Sequence, residues 1–120
     1  YLALKIAQKK IGDFIIVTCR KFGSFISEKN KILFFASYKS KALDPTGAGD
    51  VFRAAFAYGI LNNWPLYKIM NFANFVSALH TEKLGNGDNL PKPKEIKKSK
   101  RKKNNYKFKD VVTFYKNLKQ

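Results

Sequence analysis

Asp44-Pro45-Thr46-Gly47-Ala48-Gly49-Asp50-Val51-Phe52 is the stretch from which the rest of this 120-residue chain is read. Its glycines permit backbone conformations closed to other residues, so successive N–H groups can turn toward one point and form a concave anion site. From Asp50 the pattern turns helical, with apolar or small residues at Val51, Phe52, Ala54, Ala55, Gly59 and Ile60, so the loop delivers its anion to a helix N-terminus. A carboxylate beside a bound phosphate is unfavourable unless it has a task there. The task open to Asp50 is to take the proton of an alcohol attacking a phosphoryl group. The structural alternative is that Asp50 caps the helix and the glycines make a turn.

The nine residues together resemble the second signature of the ribokinase-like (PfkB-type) carbohydrate and nucleoside kinases, D-[ST]-x-G-A-G-D-x-F, with Pro45 where Thr or Ser is commoner. The resemblance implies an anion hole for the transferred phosphate at Gly47, Ala48 and Gly49, with Asp50 as catalytic base at the substrate hydroxyl. It also implies a fold: the C-terminal part of a ribokinase-like three-layer α/β/α domain with a short β-hairpin. The implied reaction is ATP-dependent phosphorylation of a sugar or nucleoside hydroxyl, with Mg2+ accompanying ATP. Asp44 to Ala54, followed by Tyr58-Gly59, is slightly more similar to the adenosine-kinase-like branch than to ribokinase itself. In the family, the residues that organise magnesium and most of those that grip the sugar precede the part corresponding to Tyr1. The chain is therefore expected to be a fragment with little or no activity alone.

Val17-Thr18-Cys19-Arg20-Lys21-Phe22-Gly23 resembles the family's V-T-x-G-x-x-G element, whose loop lies against the nucleotide. By that resemblance Thr18, Arg20, Gly23 and Gly49 contact the cofactor, Asn74 borders the adenine, and Gly85 falls in the loop that closes over the base. Arg20 stands where glycine is usual. Pointing at the phosphates it would assist binding; filling space left for a close backbone approach, it would hinder it. Many relatives also bind a monovalent cation such as K+, and the carry-over implies Asp44, Thr46, His80, Lys83, Gly85 and Asn89. Read without the resemblance, His80 has no partner at metal spacing and is structural, and Asp44 starts an Asp-Pro turn. Pro91 to Ile96 resembles the family's P-x-x-x-E-[IVL] exit into its last helix.

Periodicity supplies the scaffold. Tyr1–Ile11 reads as an amphipathic helix stopped by Gly12-Asp13, and Phe14–Thr18 as an apolar strand covered on both faces. A tight turn over Arg20–Gly23 leads into hairpin strands at Ser24–Ser27 and Ile32–Ser37. The helix from Asp50 to about Leu61 ends at Asn62-Asn63-Trp64-Pro65, and a second runs from Leu66 to about Lys83 with a core stripe at Leu66, Ile69, Met70, Ala73, Val76 and Leu79.

Length bounds the chain to one domain, and no apolar run approaches a membrane span. The single cysteine, Cys19, cannot form an internal disulfide and points to a reducing compartment, the cytoplasm. The formal net charge is +16, and residues 92–120 hold 12 of the 24 Lys and Arg against only Glu95 and Asp110. This asymmetry divides the chain into residues 1–96, which carry the motifs, and a basic tail, 97–120, with an amphipathic segment over Phe108–Leu118. Such a run is ordinarily solvated surface. The rival reading is a nucleic-acid contact in which Tyr106 and Phe108 stack on bases and the kinase-like part is an inert relic.

Overall fold

A central strand covered on both faces organises the molecule, but it is not the strand whose apolar run announced one. The computed structural model describes residues 14–28, 31–83 and 90–118; the helix expected over Tyr1–Ile11 with its Gly12-Asp13 stop lies outside them. Strands β1 (Phe14–Thr18), β2 (Gly23–Glu28) and β3 (Lys31–Ala36) are followed by helices α1 (Ala48–Leu61), α2 (Leu66–Thr81), α3 (Pro93–Lys98) and α4 (Phe108–Asn117). The sheet is antiparallel in the order β1-β2-β3, with Ile16 opposite Ile26 and Phe25 opposite Phe34.

β2 is buried over its first five residues, whereas Val17 and Thr18 at the end of β1 are exposed. This corrects the expectation that Phe14–Thr18 is covered on both faces. Position in the sheet, not hydrophobicity, decides burial here, because among the described residues β1 pairs on one side only. Alternation along β2 sends Ile26 into a core with Val51, Phe52, Ala55, Met70, Ala73 and Val76 of α1 and α2. Phe25 points the other way, into a second core with Cys19, Phe22 and Val111. The result is helix, sheet, helix in three layers. Burial raises the pKa of the Cys19 thiol above its ordinary value and so keeps it protonated.

The second core explains the tail. Val111 of α4 is buried, Tyr106 and Phe114 ring-pack on Phe22 at 4.8 and 5.1 Å between centroids, and Phe108 meets Phe25 edge-on at 5.5 Å. Tyr106 and Phe108, which the rival reading offered for stacking on bases, pack against the protein's own Phe22 and Phe25, with Phe108 remaining 40% exposed. The basic run ahead of them pairs with the chain beyond β3: Lys39 N–H donates to the Lys102 carbonyl at 2.8 Å and Asn104 N–H to that of Ser37 at 2.8 Å. Arg101 ion-pairs with Glu82 at 2.8 Å, and Lys103 donates to Asn71. Among the described residues no helix is long and apolar enough to cross a membrane.

Candidate functional site

The loop ahead of α1 is wound by its own side chains. Asp44 Oδ1 accepts the Thr46 N–H at 2.9 Å, closing the turn around Pro45, and Ala48 N–H donates to the Pro45 carbonyl at 3.1 Å. Gly47 follows at φ +78°, a left-handed conformation that favours glycine. Val51 N–H then donates to the Gly47 carbonyl at 3.0 Å and the helix is under way. α1 therefore starts at Ala48, ahead of the expected Asp50, and Gly49 and Asp50 lie in its first turn. Among the described residues, neither of their N–H groups donates to a backbone carbonyl. The Ala48 N–H is spent inside the loop, so the open amides are those of Gly49 and Asp50.

Gly49 is the informative glycine. A Cβ built there would meet nothing nearer than the Arg53 guanidinium at 4.0 Å, and its backbone is not left-handed. Among the described residues neither packing nor torsion asks for glycine at this position. Gly23 is the opposite case: with φ +132° and a Cβ that would stand 2.0 Å from the Phe35 carbonyl oxygen, it is required by the hairpin itself. Beside Gly49, the Asp50 carboxylate is largely exposed and its Oδ1 is 3.2 Å from Nη1 of Arg53, one turn along the helix. Arg53 was read from sequence as part of the stretch similar to the adenosine-kinase-like branch, or else as a surface helix residue; its pairing with Asp50 was not read, although the i,i+3 spacing was the available signal.

Three residues in the last turns of α2 hold this loop in place. Ser77 Oγ donates to the Ala48 carbonyl at 3.0 Å, His80 Nε2 lies 2.9 Å from the Thr46 carbonyl oxygen, and the Thr81 carbonyl accepts N–H groups from both Leu43 (2.7 Å) and Asp44 (3.0 Å). Sequence reading missed Ser77 and Thr81 altogether. The partners are far apart in the chain and no local pattern links them.

The other expected positions are distributed differently. Thr18 and Arg20 are exposed at the end of β1, with Arg20 at φ +50°, which is why glycine suits that position. Asn74 is buried, and its amide donates to Ser24 Oγ at 3.0 Å and the Phe35 carbonyl at 3.2 Å while accepting from Ser24 at 3.2 Å. Its side chain thus locks α2 to the sheet. Gly85 and Asn89 lie outside the described residues.

Of the expected cation ligands, Asp44 Oδ1 and the Thr46 carbonyl already have protein partners, and the His80 carbonyl accepts the Lys83 N–H at 3.2 Å. The Lys83 ammonium pairs with Glu95 at 2.8 Å. Among the described residues no three His, Cys, Asp or Glu side chains converge as a metal centre, so magnesium finds no dedicated cluster here. An open cleft of about 720 Å³ is lined by Lys39, Ser40, Lys41, Leu43, Glu82 and Arg101 and does not include Asp50.

Residues 2–93 match the family described as pfkB family carbohydrate kinase. The chain is 33% identical over 96 residues to a ribokinase of Lactococcus lactis subsp. lactis, covering 80% of this chain and 32% of that protein. A solved ribokinase from Thermotoga maritima superposes with a TM-score of 0.71 at 29% identity, over 78% of this chain and 32% of that one. Arabidopsis thaliana ribokinase, solved in complex with ribose and ATP, shares the fold with a TM-score of 0.76 at 24% identity, over 81% of this chain and 32% of that one. The chain thus spans about a third of the length of the relatives it matches.

Proposed function

From the premise that the chain belongs to the pfkB family of carbohydrate kinases, we propose that it supplies the nucleotide-side portion of an ATP-dependent phosphotransferase acting on a hydroxyl of a sugar or nucleoside. The observation that carries this reading is Gly49, a glycine with open space above it at the start of a helix whose neighbouring amides have no backbone acceptor. An oxyanion fits there, held by the N–H groups of Gly49 and Asp50 and by the positive end of the α1 dipole.

In the reaction Asp50 accepts the hydroxyl proton as the alcohol oxygen bonds to the γ-phosphorus. The bond from that phosphorus to the β–γ bridging oxygen breaks, and ADP leaves with the electron pair. The open amides carry the charge that spreads over the equatorial oxygens, a stabilisation needing no reorganisation because the helix has already aimed them. Arg53 occupies Oδ1 of Asp50, which leaves Oδ2 for the proton. Magnesium comes with the nucleotide as the counter-ion of its phosphates. The sugar-gripping residues belong to the remaining length of such an enzyme, so the 120-residue chain alone binds ATP without turning over substrate.

Two measurements test this. ATP added to the chain is expected to move the amide resonances of Gly49 and Asp50, and unmoved resonances would end the proposal. In the whole enzyme, Asp50→Asn is expected to lower kcat by roughly 10²- to 10⁴-fold, the range for loss of a general base, with ATP affinity retained. Turnover near the wild-type rate would remove Asp50 from the mechanism.

A further inference from the structure

We infer that His80 is a positioning residue for phosphoryl transfer: its imidazole, held as the Nε2–H tautomer, fixes the Thr46 peptide and thereby the direction in which the Gly49 and Asp50 amides leave the helix. The inference rests on the kinase reading above and adds a residue to it.

His80 is fully buried, and its Nε2 is 2.9 Å from the Thr46 carbonyl oxygen. A carbonyl can only accept, so Nε2 carries the proton. In the neutral ring Nδ1 is then a bare lone pair, buried without a hydrogen-bonding partner among the described residues. An orphaned acceptor in the interior is a cost, and a leucine of similar bulk would remove it. Among the described residues the bond to Thr46 is the one polar contact the ring makes.

That bond falls at a sensitive place. The Thr46 peptide unit ahead of the left-handed Gly47 ends in the carbonyl held by His80, and the N–H of Thr46 is held by Asp44. The next fixed point is the Ala48 carbonyl, held by Ser77. Between these anchors Gly47 has little freedom to rotate, so the first turn of α1 meets the loop at one angle. Catalysis by preorganised amides depends on that angle, since donors must already lie where charge will develop. Ser77 is half-buried whereas the His80 ring is fully buried, so of the two donors the imidazole is the more firmly placed by its surroundings.

The test uses three forms of the chain and of the whole enzyme: wild type, His80→Gln and His80→Leu. Long-range proton–nitrogen spectra of the wild-type chain should show the Nε2–H tautomer, and an Nδ1–H tautomer overturns the inference outright. The glutamine amide can still donate to Thr46 and the leucine cannot. His80→Leu should displace the ligand-free Gly49 and Asp50 resonances, blunt their response to ATP and lower kcat on the order of 10²-fold, the loss that accompanies a displacement of about 1 Å. His80→Gln should recover most of both. Leucine behaving as wild type, or glutamine failing as badly as leucine, overturns the role assigned to the bond while leaving the kinase reading intact. A wild-type chain whose two amides ignore ATP overturns the kinase reading, and this inference with it.

Discussion

Among the described residues nothing crowds a side chain at position 49, and that makes replacement of Gly49 diagnostic. Gly49→Ala puts a methyl into open space on a helical backbone, so it should stabilise the fold by about 0.5–1 kcal/mol, read as a higher urea midpoint. On the proposed mechanism the same methyl would stand where the phosphoryl oxygens approach, so transfer in the whole enzyme should collapse. Arg20 is the converse, a side chain where the backbone wants none. Left-handed backbone costs a non-glycine residue about 1–2 kcal/mol, and the greater freedom of glycine in the unfolded chain offsets part of that. Arg20→Gly should therefore raise the urea midpoint modestly. Both positions were legible in the sequence because each is a local question of glycine or not. The partner of His80 was not legible: Thr46 lies 34 residues earlier, and nothing in either neighbourhood announces the bond.

Between elements, the contact of α1 with α2 turns on a different glycine. A Cβ at Gly59 would stand 2.7 Å from Cγ1 of Ile69, so the helices touch through it. Gly59→Ala gains helix propensity of about 1 kcal/mol, but forcing a methyl into a packed contact typically costs about 1–3 kcal/mol. The net expectation is destabilisation, opposite in sign to the same exchange at Gly49 on the same helix, and urea titration of both variants checks it. Of the stripe that predicted α2, Ile69, Met70, Ala73, Val76 and Leu79 are buried, while Leu66 at its first position is only half-buried. The strand pattern misled, because Ser24 and Ser27 disguise β2 while Ile15, Ile16 and Val17 advertise β1. Ser24 is tolerated at full burial because Asn74 satisfies it. For α4 the amphipathic repeat was visible but its docking face was not, since that face is assembled from Phe22, Phe25 and Phe34 across separate turns and strands.

At the scale of the molecule, the basic tail is not a loose appendage. It closes the second face of the sheet and is fastened at Glu82, whose carboxyl is held below its ordinary pKa of 4.5 chiefly by the Arg101 hydrogen bond and secondarily by the Lys41 N–H. A carboxylate with a lowered folded pKa contributes stability that is present above 4.5 and lost as pH falls through the lowered value. Thermal melts should accordingly show wild type and Glu82→Gln well separated near neutrality and converging in acid, where both side chains are uncharged. A constant gap down through that window would mean the pair contributes nothing to holding the tail. Finally, the Leu43 side chain is 66% exposed, yet its N–H and that of Asp44 both end on the Thr81 carbonyl. In heavy water, fast exchange at those two amides would mean that the loop lifts off an intact helix, whereas exchange in step with the last turn of α2 would mean that the entrance to the site moves with the helix that holds it.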